Sequence, residues 1–218
     1  MMRSPSVRLC LIVAACLLLT AAGTTAAETK ASGETVELRW ALGATGADDS
    51  KPSAIESDSE LAAGTKLKFL VEPLSSGSVY LILLDSQDDI HVLYEESADA
   101  YSDPAYIPPG RGYLVLDDAT GRETFFLLAS AEPLEELDGL LADYDAAEGG
   151  AREKLGEAIV AEIRRVNKEN RHFSRPVEKP VMIGGQTRAD ATPESEIDRL
   201  AVQISAQRFY GKTITIDH

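Results

Sequence analysis

The densest reactive chemistry in the chain is cationic. Between positions 164 and 179 stand six basic residues, Arg164, Arg165, Lys168, Arg171, Arg175 and Lys179, against two acidic ones, Glu169 and Glu178. The whole chain of 218 residues carries 36 acidic and 21 basic side chains, a formal net charge of −15. A local reversal of sign in so acidic a protein is a place where an acidic partner or anionic envelope material can dock. The competing reading is structural. Positive charge in the last turn of a helix complements the helix dipole, and a solvated loop then follows. The negative charge argues against nucleic acid as the partner, because phosphate contacts need net positive surface.

Carboxylates offer a second chemistry. Asp85, Asp88 and Asp89 fall in one short stretch, and calcium is a hard cation that takes several oxygens. Their D-x-x-D-D spacing lacks the glycine and distal glutamate of an EF-hand loop. They stand as weak metal candidates beside the plainer reading of an acidic hairpin turn. Asp117 and Asp118 have the same status. Glu95-Glu96 and Glu135-Glu136 could suggest acid–base work, but such pairs are defined by their separation in space. The histidines are His91, His172 and His218. The chain contains no H-E-x-x-H and no G-x-S-x-G, and neither Gly149-Gly150 nor Gly184-Gly185 opens a phosphate loop. The sequence therefore predicts no catalytic residue and no cofactor. A carboxylate-dependent hydrolase is the enzymatic alternative.

The first 27 residues read as a signal peptide. Arg3 and Arg8 precede the apolar run LCLIVAACLLL, and Thr25 and Ala27 are small residues just before Glu28. The run is shorter than the ~20 residues that span a bilayer. It predicts a periplasmic or secreted protein whose mature chain has no transmembrane segment. Val13-Ala14-Ala15-Cys16 supplies the alternative, a lipoprotein anchored through Cys16. Cleavage after Ala27 removes two arginines, taking the charge from −15 to −17, and removes both cysteines of the chain. No thiol nucleophile and no zinc–thiolate site remains.

These groups need elements to hold them. Residues 28–35 are small and polar and read as a disordered N-terminus. Residues 36–218 read as a single β-rich domain. Val36, Leu38 and Trp40 alternate with Glu37 and Arg39, the period of a half-buried strand. Residues 43–64 read as a long loop. Strands are expected at 67–72, 79–84 and 90–94, the last two joined by the acidic turn 85–89. Residues 106–110 extend and then turn at Pro108-Pro109. Strands at 113–116 and 124–130 flank a turn at 117–121. Leu81, Leu83, Phe126 and Leu128 are the expected core.

The period then changes. Leu134, Leu137, Leu141 and Tyr144 mark one helix, and Leu155, Ile159, Ile163 and Val166 mark a second over about 151–171. Residues 172–191 read as irregular. Ile197, Leu200, Ala201 and Ile204 mark a third, short helix. Thr213-Ile214-Thr215-Ile216 alternates strictly and reads as a last strand. The expected fold is α+β, with an antiparallel sandwich-like or barrel-like core. A helical insertion over 133–205 fills the C-terminal third, and a final strand returns to the sheet.

A run of phrases also carries a family likeness. They are Gly64-Thr65-Lys66-Leu67-Lys68-Phe69, Val71-Glu72-Pro73, Gly77-Ser78-Val79-Tyr80-Leu81, Leu84-Asp85, Val92-Leu93-Tyr94, Tyr106-Ile107-Pro108-Pro109-Gly110 and the closing 126–134, FLLASAEPL. In order and spacing, residues 64–134 resemble the bacterial family called domain of unknown function 4384. The resemblance implies a β-rich, often exported domain, found attached to sensory, kinase or peptidase-like proteins. It carries over no catalytic residue. The expected function is a non-catalytic binding or interaction module of the bacterial cell envelope, with an envelope protein or an anionic envelope component as partner. A structural accessory subunit of an envelope complex is a further alternative beside the hydrolase.

Overall fold

The computed structural model describes residues 35–46, 51–55, 57–98, 102–118, 120–171, 177–180 and 193–218. These lie in one compact unit, Gly33–His218. The expected signal peptide, Cys16, most of the N-terminal polar segment, His172, Arg175 and Gly184-Gly185 lie outside the described residues. Thr35, expected in the disordered segment, is already paired, opposite Gln207.

Along the chain the elements are β1 (Thr35–Thr45), β2 (Ser53–Ala54), β3 (Ser59–Glu60), β4 (Lys66–Pro73) and β5 (Gly77–Leu84). Then come β6 (Ile90–Ala98), β7 (Ala105–Ile107), β8 (Leu114–Val115), β9 (Arg122–Ser130), α1 (Glu135–Ala146) and α2 (Gly150–Asn170). The last are β10 (Val177–Pro180), α3 (Pro193–Asp198), β11 (Val202–Gln207) and β12 (Phe209–Asp217). No helix among the described residues is long and apolar enough to cross a membrane.

The strands form two sheets that are antiparallel throughout except where β3 runs parallel to β12. The first sheet is ordered β10-β11-β1-β4-β7, with β2 against β1 and β8 against β4. The second is ordered β3-β12-β9-β5-β6. The α+β, sandwich-like expectation holds. Period-two alternation gives each sheet an inner face. Val36, Leu38 and Trp40 of β1 and Phe69 of β4 share one buried cluster with Leu81, Phe125, Leu127 and Ile214 of the second sheet. Phe69 and Phe125 meet with ring centroids 4.9 Å apart.

The outer faces are apolar as well, and helices cover them. Tyr80, Ile82, Phe126 and Leu128 on the back of the second sheet pack against Leu137, Leu141 and Tyr144 of α1 and Ile159 and Ile163 of α2. On the back of the first sheet, Ala41 and Leu70 pack against Ile197 of α3 and Ala201. The order of layers is helices, sheet, sheet, short helix. Because β5 and β9 are covered on both sides, their continuous apolar runs are explained.

Several boundaries differ from the expectation. The stretch 43–64 contains the end of β1 and the short strands β2 and β3. The third helix stops at Asp198, and Ile204 lies in β11, fully buried. The spacing Ile197, Leu200, Ala201, Ile204 fits a helix, but VQISAQ also alternates at period two. Pairing with β1 along residues 202–207 settles the choice, because it satisfies the backbone that a solvated helix end leaves open. The segment 172–191 contains β10, which pairs with β11. The insertion 133–205 is therefore helical only in part and returns two strands to the first sheet. Leu81, Phe126 and Leu128 are buried as expected, whereas Leu83 near the end of β5 is only partly covered.

Candidate functional site

α2 crosses the back of the second sheet and leaves its last rows of side chains open. β12 and β9 pair with Thr213 opposite Phe126, Thr215 opposite Thr124, and Asp217 opposite Arg122. These outward residues form the floor of a cleft of about 680 Å³. The volume lies in the range of small-molecule sites, roughly 300–1,000 Å³. The wall is one stripe of α2, Arg164, Asn167 and Lys168, continued by its C-cap Arg171, at the 3, 4 and 7 spacing that faces one direction on a helix. Asp58, beside β3, closes the rim.

A glycine sets how closely the helix approaches. A Cβ at Gly211 of β12 would lie 1.9 Å from Asn167 Oδ1 and 2.9 Å from Phe209 Cε1. The missing side chain admits the Asn167 amide at that point.

The charges are unequal in their availability. Arg122 donates from Nε to Asp217 Oδ1 at 2.8 Å and from Nη2 to Oδ2 at 3.3 Å, a two-pronged contact. Hydrogen bonding from Arg122 holds the Asp217 carboxyl below the usual range. Arg164, Lys168 and Arg171 are exposed and make no ion pair among the described residues. With four cations and two carboxylates in its lining, the cleft is net positive in a chain of net charge −15.

Of the six basic residues singled out in the sequence, three thus converge. Arg165 points elsewhere. It donates to Glu162 at 2.6 and 2.7 Å and to Glu169 at 2.6 Å. Lys179 belongs to β10, at the edge of the other sheet. Arg122, Asn167, Thr124, Thr213, Thr215 and Asp58 enter the cleft without having been singled out. One signal for them was present. Where Ile214 and Ile216 face inward, the intervening threonines must face outward.

The acidic turn 85–89 forms as expected between β5 and β6, but its carboxylates serve the turn. Asp85 Oδ1 accepts from the backbone N–H of Gln87 and of Asp89, both at 2.9 Å, and its Oδ2 lies 2.8 Å from His91 Nε2. Burial pushes the Asp85 carboxyl up, yet these hydrogen bonds outweigh it and hold it below the usual range. Asp89 accepts from the Tyr144 hydroxyl at 3.3 Å and lies 4.0 Å from Arg152 Nε. Asp88, Glu153 and Glu157 line an adjoining hollow of about 300 Å³, which shares Leu84 and Arg164 with the cleft. Asp117 shares a hollow of about 150 Å³ with Asp85 and Glu123. Among the described residues no group of three or more His, Cys, Asp or Glu is placed to hold a metal ion.

Two buried polar groups escaped the sequence reading. Lys68 is 0% exposed. Its ammonium donates to the carbonyl oxygens of Pro108, of Gly110 at 2.7 Å and of Gly112 at 2.9 Å. Burial lowers its pKa, since the charged form is the one that loses water. The side chain of His218 is covered to 1% exposure, with Nε2 3.4 Å from Glu123 Oε1. No protein-family model matches this chain, and neither a curated protein nor a solved structure matches it.

Proposed function

We propose that this protein is an exported, non-catalytic binding module of the bacterial cell envelope, and that it binds an anionic envelope component or acidic partner in the cleft between α2 and the outer face of β9 and β12. One observation carries this reading. Arg164, Lys168 and Arg171 present three exposed cations, in no ion pair with a described residue, along one wall of a cleft of about 680 Å³, on a protein whose net charge is −15. Exposed cations converging on one cleft are available to a ligand, and the surrounding negative charge turns other anions away from the remaining surface. The leader-like residues 1–27 and the resemblance of residues 64–134 to an often exported bacterial family support the envelope location.

The test uses the purified protein and three anionic polymers, polygalacturonate, polyglutamate and polyphosphate, in calorimetric titrations at low and physiological salt. At least one should bind, more weakly as salt rises. Arg164→Ala, Lys168→Ala and Arg171→Ala combined should weaken that binding roughly tenfold or more, since each contact contributes up to about 1 kcal/mol. An unchanged thermal midpoint is expected, because all three side chains are exposed. No binding of any polymer, or equal binding by the triple variant, would remove this reading.

A further inference from the structure

The cleft has two chemically different sides. The helix side supplies charge through Arg164, Lys168 and Arg171. The sheet side supplies hydroxyls through Thr124, Thr213 and Thr215, and carboxylates through Asp58 and Asp217. A simple anion site needs no carboxylates. Two of them facing a densely charged phosphate chain are repulsive, and Asp217 stays ionised beside Arg122. A carboxylate within a site is instead an acceptor for donors on the ligand. Asp217 gives one lone pair on each oxygen to Arg122, and an ionised carboxylate has about four acceptor sites. It retains capacity for a ligand hydroxyl.

Of the apolar residues in the lining, Leu84 is partly exposed, whereas Phe126 and Ile163 are buried. A ligand that satisfies both sides carries acidic groups on one edge and hydroxyl donors on the other. We infer that the cleft takes an acidic saccharide, whose carboxylates meet the cations of α2 while its hydroxyls meet the threonines, Asp58 and Asp217 of the sheet side. This rests on the anion-binding reading above and names its ligand class. An acidic peptide offers the same carboxylates, but its remaining donors are main-chain N–H groups without the row of hydroxyls.

The experiment compares three short probes by calorimetry with the full-length protein: a galacturonic-acid oligosaccharide, a neutral galactose oligosaccharide of the same length, and an oligoglutamate of matched charge. The acidic saccharide should bind at least tenfold more tightly than either of the others. Asp58→Asn and Thr215→Val should each weaken the saccharide roughly two- to tenfold, the range for one hydrogen bond, and leave oligoglutamate unchanged. Both sites are on the surface of the cleft, so loss of folding does not confuse the result; a thermal scan of each variant checks this. Equal binding of oligoglutamate and acidic saccharide overturns the ligand class and leaves the anion-binding reading standing. If no probe binds, or the neutral saccharide binds as well as the acidic one, the ligand class fails; the anion-binding reading fails with it when oligoglutamate and polyphosphate do not bind either.

Discussion

At the scale of single residues, Lys66 and Lys68 show how little a residue type says alone. Both lie on the outward face of β4, two positions apart. Lys66 is exposed, whereas Lys68 is buried under the segment 108–112, whose carbonyls take its three protons. A buried ammonium must find acceptors or lose its charge, and here the turn after Pro108-Pro109 folds over it. Its distance to the Tyr113 ring centroid, 5.7 Å, adds a weak cation–π contact. Lys68→Met keeps the stem and deletes the donors. We expect it to cost roughly 1–3 kcal/mol, the range for stranding buried acceptors, read as a lower urea midpoint. Amide exchange of residues 110–113 should rise in the same variant. An unaltered midpoint would mean that the three carbonyls are equally well served by water.

Elements are placed by a few contacts that tolerate no substitute. β5 begins at Gly77, with φ +140°, a conformation that side chains rarely adopt. A Cβ there would stand 2.3 Å from the carbonyl oxygen of Ser130. That atom belongs to the backbone of β9, which pairs with β5 from Ser78 onward. Neither side can yield without shifting a strand that is covered on both faces. Gly77→Ala should therefore destabilise by about 1–3 kcal/mol or more, adding backbone strain to the clash. Its thermal midpoint is the measurement, and a midpoint within error of the parent would contradict the strand start. The helices were easier to read. Leu137, Leu141 and Tyr144 of α1, and Ile159, Ile163 and Val166 of α2, are buried at the spacing the sequence shows. Tyr144 also accepts from the Ile90 N–H at 2.8 Å. It thereby ties α1 to the acidic turn, a long-range contact that periodicity does not contain.

For the whole molecule, β12 is the element that joins the parts. It lies between β3 and β9 in the second sheet. Inward it gives Tyr210, Ile214 and Ile216 to the shared core. Outward it gives Thr213 and Thr215 to the cleft. Its hairpin partner in sequence, β11, belongs to the other sheet, so the break at Arg208 carries the chain from one layer to the next. Removing residues 209–218 should abolish cooperative unfolding, because β9 loses an entire neighbour and the core loses three large side chains, each contributing roughly 1.5–3 kcal/mol. Circular dichroism against temperature measures this. A shortened protein melting at the parental temperature, with the same sharpness, would show that β12 is dispensable.

The sequence alone determined the α+β class, the core positions of most strands and the stripes of both long helices. Each of these rests on local periodicity: a pattern of period 2 or 3.6 needs only neighbouring residues to be seen. It also marked the cationic segment, since a reversal of charge is a matter of counting. Tertiary structure decided which of those cations matter together. The 3.6-residue turn sends Arg165 to Glu162 and Glu169, while Arg164, Lys168 and Arg171 face the open rows of the sheet. It decided that Ile204 belongs to a strand, because β1 was there to pair with it. And it placed Arg122, Asp58 and Asp217 against α2, residues far apart in sequence whose shared cleft exists only because the outer face of one sheet and a helix meet there. Such long-range juxtapositions arise from packing and strand register, which no local pattern encodes.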